Sequence, residues 1–109
     1  MITGTSTGIG RKCALHLANL GYKVYAGVRR ESDGDSLRNE ASENLISVIL
    51  DVTDGDSIES TISKIDQEND GNLYAVVNNA GIGISGVVEE TPIEEMRKEM
   101  DVNVMGLFA

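Results

Sequence analysis

Segments suited to strands and segments suited to helices take turns along this 109-residue chain, and that alternation narrows its possible folds more than any other feature. Ile9, Cys13, His16, Leu17 and Leu20 fall on one side of a predicted helix, with Gly21 as the residue that ends it. Residues 23–28 read as a strand, and a short helical piece around Leu37 and Ala41 precedes a second apolar run over residues 45–50. That run suits a buried parallel strand. Thr53 with Asp56 predicts a capping box, Ile58, Ile62 and Ile65 recur at helical spacing, and residues 73–77 make the next strand. Thr91 as N-cap, Pro92 at the first position and Glu94 open a last helix, while Met1, Ile2 and Thr3 leave a very short first strand. Parallel strands need right-handed crossovers, so the expected fold class is α/β, a doubly wound parallel sheet with helices on both faces.

Three glycines crowd the point where the apolar start gives way to the first helix, in the stretch Thr3-Gly4-Thr5-Ser6-Thr7-Gly8-Ile9-Gly10. A residue without a Cβ lets the chain turn sharply and lets backbone N–H groups approach an anion. The helix that follows aims its positive end at the same place, so a pyrophosphate meets unpaired donors and a favourable field together. A glycine turn that merely packs tightly would look the same when taken alone.

Charge supports the anion. The net charge is −9, yet Arg11, Lys12, Lys23, Arg29 and Arg30 all precede the first of the eighteen acids. A basic zone that coincides with the glycine turn on an otherwise acidic chain suits a small anion and repels nucleic acid. One cysteine, Cys13, excludes an internal disulfide, and one histidine, His16, leaves no zinc-ligand spacing, so no metal is expected. Each is read as packing. No apolar run reaches the length of a membrane span and the start lacks the pattern of a signal peptide, which makes the cytoplasm the expected location, with no membrane partner.

Ligands of such sheets bind at the carboxyl ends of strands where the winding reverses. Four stretches sit there: the glycine turn, Val28-Arg29-Arg30, Asp51-Val52 and Asn78-Asn79-Ala80-Gly81. With Asp101-Val102-Asn103-Val104, they make the chain resemble the amino-terminal portion of the short-chain dehydrogenase/reductase family, whose Rossmann-type proteins move hydride between a nicotinamide and an alcohol or carbonyl. The resemblance implies strand order 3-2-1-4 in a truncated sheet. It implies that Gly4, Thr5, Ser6, Thr7, Gly8 and Ile9 surround the pyrophosphate and that Gly10 lets the helix pack on the sheet. Asp51 and Val52 would read the adenine, Asn79, Ala80 and Gly81 would line its ribose while the asparagine amides tie strands together, and Val102 would join the cofactor site. Taken singly, Asp51 also suits a helix start, and the asparagines suit a turn beside Gly81.

The end of the second strand bears on the choice of coenzyme. An acid about 20 residues beyond the glycines would hold a ribose 2′-OH, whereas arginine accommodates a 2′-phosphate. Val28 followed by Arg29 and Arg30 favours NADP(H), with NAD(H) as the alternative, and Arg29 is the stronger candidate because Arg30 has Glu31 beside it. The hydroxyl of Thr5 or Ser6 would add to that site.

Of the family's catalytic set, only the asparagine that anchors a water relay has a counterpart, Asn103. It stands in an apolar stripe with Ile93, Met96, Met100 and Leu107, where a buried amide without partners would be destabilising by roughly 1–3 kcal/mol, so a hydrogen-bonded role is expected. Tyr25 precedes Arg29 by four residues, but on a strand that separation is roughly 13 Å, too far to pair. Residues 1–109 are therefore expected to be a partial NAD(P)-binding Rossmann domain without its carboxyl-terminal catalytic half, inactive alone and left with a bare apolar sheet edge. The parent would act on a small-molecule alcohol or carbonyl and form a homo-oligomer, as relatives often do. A non-catalytic dinucleotide-binding module would share every motif. A methyltransferase would want an acid where Val28 and the arginines stand, and a P-loop nucleotidase would need Gly-Lys-Ser/Thr after the glycines.

Overall fold

Five buried positions in a row make Val24–Val28 the centre of the molecule. A computed structural model describes residues 1–109. In it, Val24–Val28 forms β1 and Leu45–Ile49 forms β2, paired in parallel from Val24 opposite Leu45 to Val28 opposite Ile49. On the other side of β1, Ile2 bridges Ala26 and also Val77. The lateral order is thus β2, β1, Ile2, Val77, the expected 3-2-1-4 arrangement with its first and fourth members reduced to single bridges.

The predicted strand over residues 73–77 is not a strand beyond Val77. Its neighbour offers too short a template: Val77 N–H donates to the Met1 carbonyl, Thr3 N–H to the Val77 carbonyl, and the Met1 ammonium to Ala75 O at 2.8 Å. Its far side is bare, with Tyr74 fully exposed and Val76 and Val77 exposed beside it.

Helices cover both faces. Helices α1 (Gly8–Asn19) and α2 (Glu31–Glu40) share one core with Ile2, Val24, Ala26, Val28 and Leu45. The other face buries Tyr25 and Val48 against Ile65 of α3 (Gly55–Asn69). α1 lies on the sheet through Gly10, Ala14 and Ala18, not through the predicted stripe: Ile9, His16 and Leu20 are exposed, and Cys13 and Leu17 are half-buried. Small residues at every fourth position let a helix approach a sheet closely, and the larger side chains are displaced to its flanks. Its end is as expected, because Gly21 at φ +91° lets Gly21 N–H reach Ala18 O and Tyr22 N–H reach Leu17 O.

Two predicted caps are replaced. Asp54, not Thr53, caps α3, its carboxylate accepting from the N–H groups of Asp56 and Ser57. The last helix, α4 (Ile93–Met100), has Pro92 at its cap position, and the Thr91 hydroxyl donates back to Val87 O instead. After Met100 the helix widens into a π turn over Asp101–Met105 and closes with Gly106–Phe108. None of its residues is buried, and the apolar stripe of Ile93, Met96, Met100 and Leu107 is exposed along with Asn103. The radius of gyration, 14.9 Å, exceeds the roughly 13 Å of a compact domain this long, in keeping with that unburied helix.

Candidate functional site

The carboxyl ends of β1, β2 and the two bridging segments open into one cleft of about 230 Å³. Its floor is the glycine turn. Thr5 is fully buried and sends both its N–H and its hydroxyl to Gly27 O, each at 2.9 Å, so the turn is bolted to β1. The Thr5 hydroxyl therefore faces the sheet and is not available to a phosphate, contrary to expectation. Gly4 sits at φ +66°, where a Cβ would come within 2.7 Å of the Ala80 backbone. At Gly10 a Cβ would lie 2.5 Å from Gly4 O and closer still to the Asn79 amide. Thr7 leads into α1 with extended backbone and no side-chain cap, and no acid stands in the first turn. The N–H groups of Ser6, Thr7, Gly8, Ile9 and Gly10 have no partner within the chain, the first bonded one being Arg11 N–H to Thr7 O. Unpaired donors at a helix start with no competing carboxylate suit an anion.

Asn79 joins the outer segment to this turn. Its Nδ2 donates to the carbonyls of Thr3 and Gly4, both at 3.0 Å, while Thr3 Oγ1 accepts from the N–H groups of Asn79 (3.0 Å) and Ala80 (2.8 Å). Of the two asparagines Asn79 makes the tie, whereas Asn78 is exposed. Thr3 is a supporting residue that sequence reasoning passed over, its signal being a hydroxyl at the end of an otherwise apolar start.

Asp51 forms the far wall. Its Oδ1 accepts from the Thr53 hydroxyl at 2.7 Å and the Thr53 N–H at 2.9 Å, and these bonds, with the nearby Arg29 charge, hold the carboxyl below its usual range. Oδ2 accepts from no group of the chain. That leaves an ionised oxygen able to take a hydrogen bond from a ligand amine.

The cleft brings together Gly4, Ser6, Thr7, Arg29, Asp51, Val52, Asn79, Ala80, Gly81 and Val102 of the predicted set, with Gly27, Val28, Leu50 and Ile82 added. Thr5, Gly8, Ile9, Gly10, Arg30 and Asn103 do not line it. Gly8 and Ile9 stand exposed at the α1 start, Gly10 packs beneath it, and Arg30 is exposed at the α2 cap position. Neither Arg29 nor Arg30 is paired with a carboxylate: Glu31 and Asp35 are both held by Arg38, and Glu40 by Arg11.

Asn103 lies within the π turn, where its Oδ1 accepts from Ile82 N–H and its Nδ2 donates to Ile82 O, both at 2.8 Å. The amide is hydrogen-bonded as expected, but the position is exposed and not packed within a buried stripe. π turns inside helices recur at functional sites. Gly106 lies so close to Val52 that a Cβ there would meet Val52 Cγ2 at 2.7 Å.

A larger apolar groove, about 660 Å³, opens at the opposite ends of the strands between Val24, Tyr25 and Leu73. Its inner polar groups are already engaged, Tyr25 Oη donating to Glu68 Oε2 and Lys23 Nζ to Asn69 Oδ1, so the chemistry points to the smaller cleft. Burial pushes the Tyr25 phenol above its ordinary range, as befits a core residue. No helix is long and apolar enough to cross a membrane.

Comparison with known proteins agrees with this geometry. The chain is 39% identical over 107 residues to the probable short-chain type dehydrogenase/reductase VdlC of Helicobacter pylori, covering 98% of this chain and 38% of that protein. It is 39% identical over 109 residues to the 17-beta-hydroxysteroid dehydrogenase type 6 of Bos taurus, covering 98% of this chain and 34% of that one. The crystal structure of serine dehydrogenase from Escherichia coli superimposes with a TM-score of 0.89 at 29% identity, over 98% of this chain and 50% of that chain. The chain thus spans little more than a third of the length of these curated relatives. The short chain dehydrogenase family profile matches all of residues 1–109, and the chain belongs to that family.

Proposed function

We propose that the protein containing this chain is an NADP(H)-dependent oxidoreductase acting on an alcohol or carbonyl, and that residues 1–109 hold the coenzyme. The observation that carries the choice of NADP(H) is Arg29, which lines the cleft near Asp51 and makes no ion pair with any carboxylate. A planar fork binds phosphate oxygens in charge-assisted pairs and has little use for an uncharged 2′-OH. The residues fit such a ligand elsewhere too. The free N–H groups from Ser6 to Gly10 would receive the pyrophosphate, and Asp51 Oδ2 would accept from the adenine amine. Ala80 and Gly81 would flank its ribose, with Val52 and Val102 beside them.

When bound, the nicotinamide accepts or delivers the hydride. The chain's own residues orient it and close one side of the cleft. Asn103 holds the backbone at Ile82, which keeps the π turn and the strand-end loop in register. Tyr25 is buried in the core and Tyr22 and Tyr74 lie away from the cleft, so no tyrosine of residues 1–109 would transfer the proton. The likeness to a hydroxysteroid dehydrogenase makes a secondary alcohol on a rigid apolar skeleton the first substrate to try.

Titration of the full-length protein with NADPH and NADH, monitored by calorimetry, tests this reading. Tighter binding of NADPH, weakened roughly tenfold or more in Arg29→Ala with NADH little changed, is the expected result. Equal or tighter binding of NADH by the unaltered protein would overturn the assignment.

A further inference from the structure

We infer that Arg11, acting through Ser36 and Glu40, is the positioning residue that sets the separation between the glycine turn and Arg29, an inference that rests on NADP(H) occupying the cleft. Arg11 stands in the first turn of α1 with its side chain only 17% exposed. One arm of the guanidinium, Nη1, donates to Ser6 O at 3.3 Å, within the turn. The other, Nη2, donates to Ser36 O at 3.2 Å, Ser36 Oγ at 3.0 Å and Glu40 Oε1 at 2.8 Å, all on α2. No other side chain bonds both the turn and α2. Arg38, the remaining base of α2, is spent on Glu31 and Asp35 of its own helix and on Ser47 of β2.

The consequence follows from how α2 is attached. Its cap position is Arg30, and Arg29 links that cap to Val28 of β1, so the placement of the helix sets the direction in which both guanidiniums leave the strand. A coenzyme that bears a 2′-phosphate must satisfy the turn and the arginines at once, across a fixed covalent distance. One that lacks it needs only the turn and Asp51. A rigid, planar fork with bonds to both elements keeps that distance constant, which a lysine at the same place would not do. Loosening the α2 arm alone therefore acts on phosphate selectivity and spares the pyrophosphate site.

The test uses the full-length protein, with dissociation constants for NADPH and NADH in the unaltered form, Glu40→Gln, Ser36→Ala with Glu40→Gln, Arg11→Lys and Arg29→Ala. Both α2 positions are exposed, so these substitutions leave the core untouched. The expected result is roughly a 3- to 5-fold loss of NADPH affinity in the Ser36/Glu40 double variant, with NADH unchanged, since an exposed ion pair rarely contributes more. Arg11→Lys is expected to lower the NADPH-to-NADH affinity ratio as well. An unchanged ratio in the double variant, or an equal loss for both coenzymes, overturns the inference while a collapse of the ratio in Arg29→Ala leaves the NADP(H) reading standing. No preference for NADPH in the unaltered protein removes both together.

Discussion

Adding a single methyl group at Gly10 tests the packing of the site more severely than the same change two residues earlier. At Gly8 the backbone is left-handed, φ +63°, and no atom lies within 4 Å of a new Cβ, so Gly8→Ala costs only the conformational strain, about 1 kcal/mol. At Gly10 the Cβ would press on the Gly4 carbonyl and on the Asn79 amide. The carbonyl cannot retreat, because Thr3 N–H is bonded to Val77 O and Thr5 N–H to Gly27 O on either side of it. The amide can swing, but it then gives up its bonds to Thr3 O and Gly4 O. Overpacking of about 1–3 kcal/mol and roughly 1 kcal/mol for each of the two lost bonds, less about 1 kcal/mol from the better helix propensity of alanine, leaves a net destabilisation of about 2–4 kcal/mol. Urea unfolding of the full-length protein, followed by circular dichroism, is the assay. With a slope near 2 kcal/mol/M, the midpoint should fall by roughly 1–2 M for Gly10→Ala and about 0.5 M for Gly8→Ala. If Gly10→Ala proved as mild as Gly8→Ala, the contact between α1 and Asn79 would not be what holds this turn.

Asn103→Leu removes both bonds to Ile82 at an exposed position; hydrogen exchange at the Ile82 amide should accelerate severalfold while global stability falls by about 1 kcal/mol or less, and an unaltered exchange rate would contradict this. Thr53→Val deletes the shorter of the two bonds to Asp51 Oδ1, so the carboxyl should titrate nearer its ordinary value by NMR. Because the folded-state value is depressed, this group contributes stability present above the unfolded-state value and lost as pH falls through the folded one; in Thr53→Val that acid-side loss becomes shallower, and an unmoved titration would discount the Thr53 hydroxyl as its cause. Residues 1–109 alone should self-associate through the bare segment around Tyr74 and Val76, and Tyr74→Lys with Val76→Lys should reduce this in sedimentation; a monomeric unaltered chain with a sharp cooperative melt would refute the edge argument. The same polypeptide should show no alcohol-dependent NADP reduction, and measurable turnover would mean that proton transfer is served by a group within it.

Much of the architecture could be read from residue patterns because apolar runs mark strands, although only β1 is buried throughout and β2, expected to be buried, keeps Ile49 exposed. The apolar runs of β1 and β2 were found to within a residue, and Gly21 ended α1 as its conformational freedom suggested. The failures share a cause, namely dependence on something distant. Residues 73–77 have the composition of a strand, yet a strand exists only against a partner, and residues 1–3 supply one bridge. Ile9 outranks Gly10 in hydrophobicity, but closeness to the sheet decided which face of α1 went inward. Thr53 has the chemistry of a cap, and Asp51 claimed its hydroxyl first. At the cleft, the motif residues were visible as types at spacings, whereas the direction of Thr5 depended on where Gly27 O lies. The span of Arg11 to Ser36 and Glu40 crosses more than twenty residues and left no local signature.

The doubled bond from Thr5 to the Gly27 carbonyl has a practical side. A turn clamped to the sheet by its own backbone and hydroxyl is shaped before any ligand arrives, so little ordering is left for the ligand to supply. Reporters for binding studies are better carried on the exposed residues of α3, none of which lines the cleft.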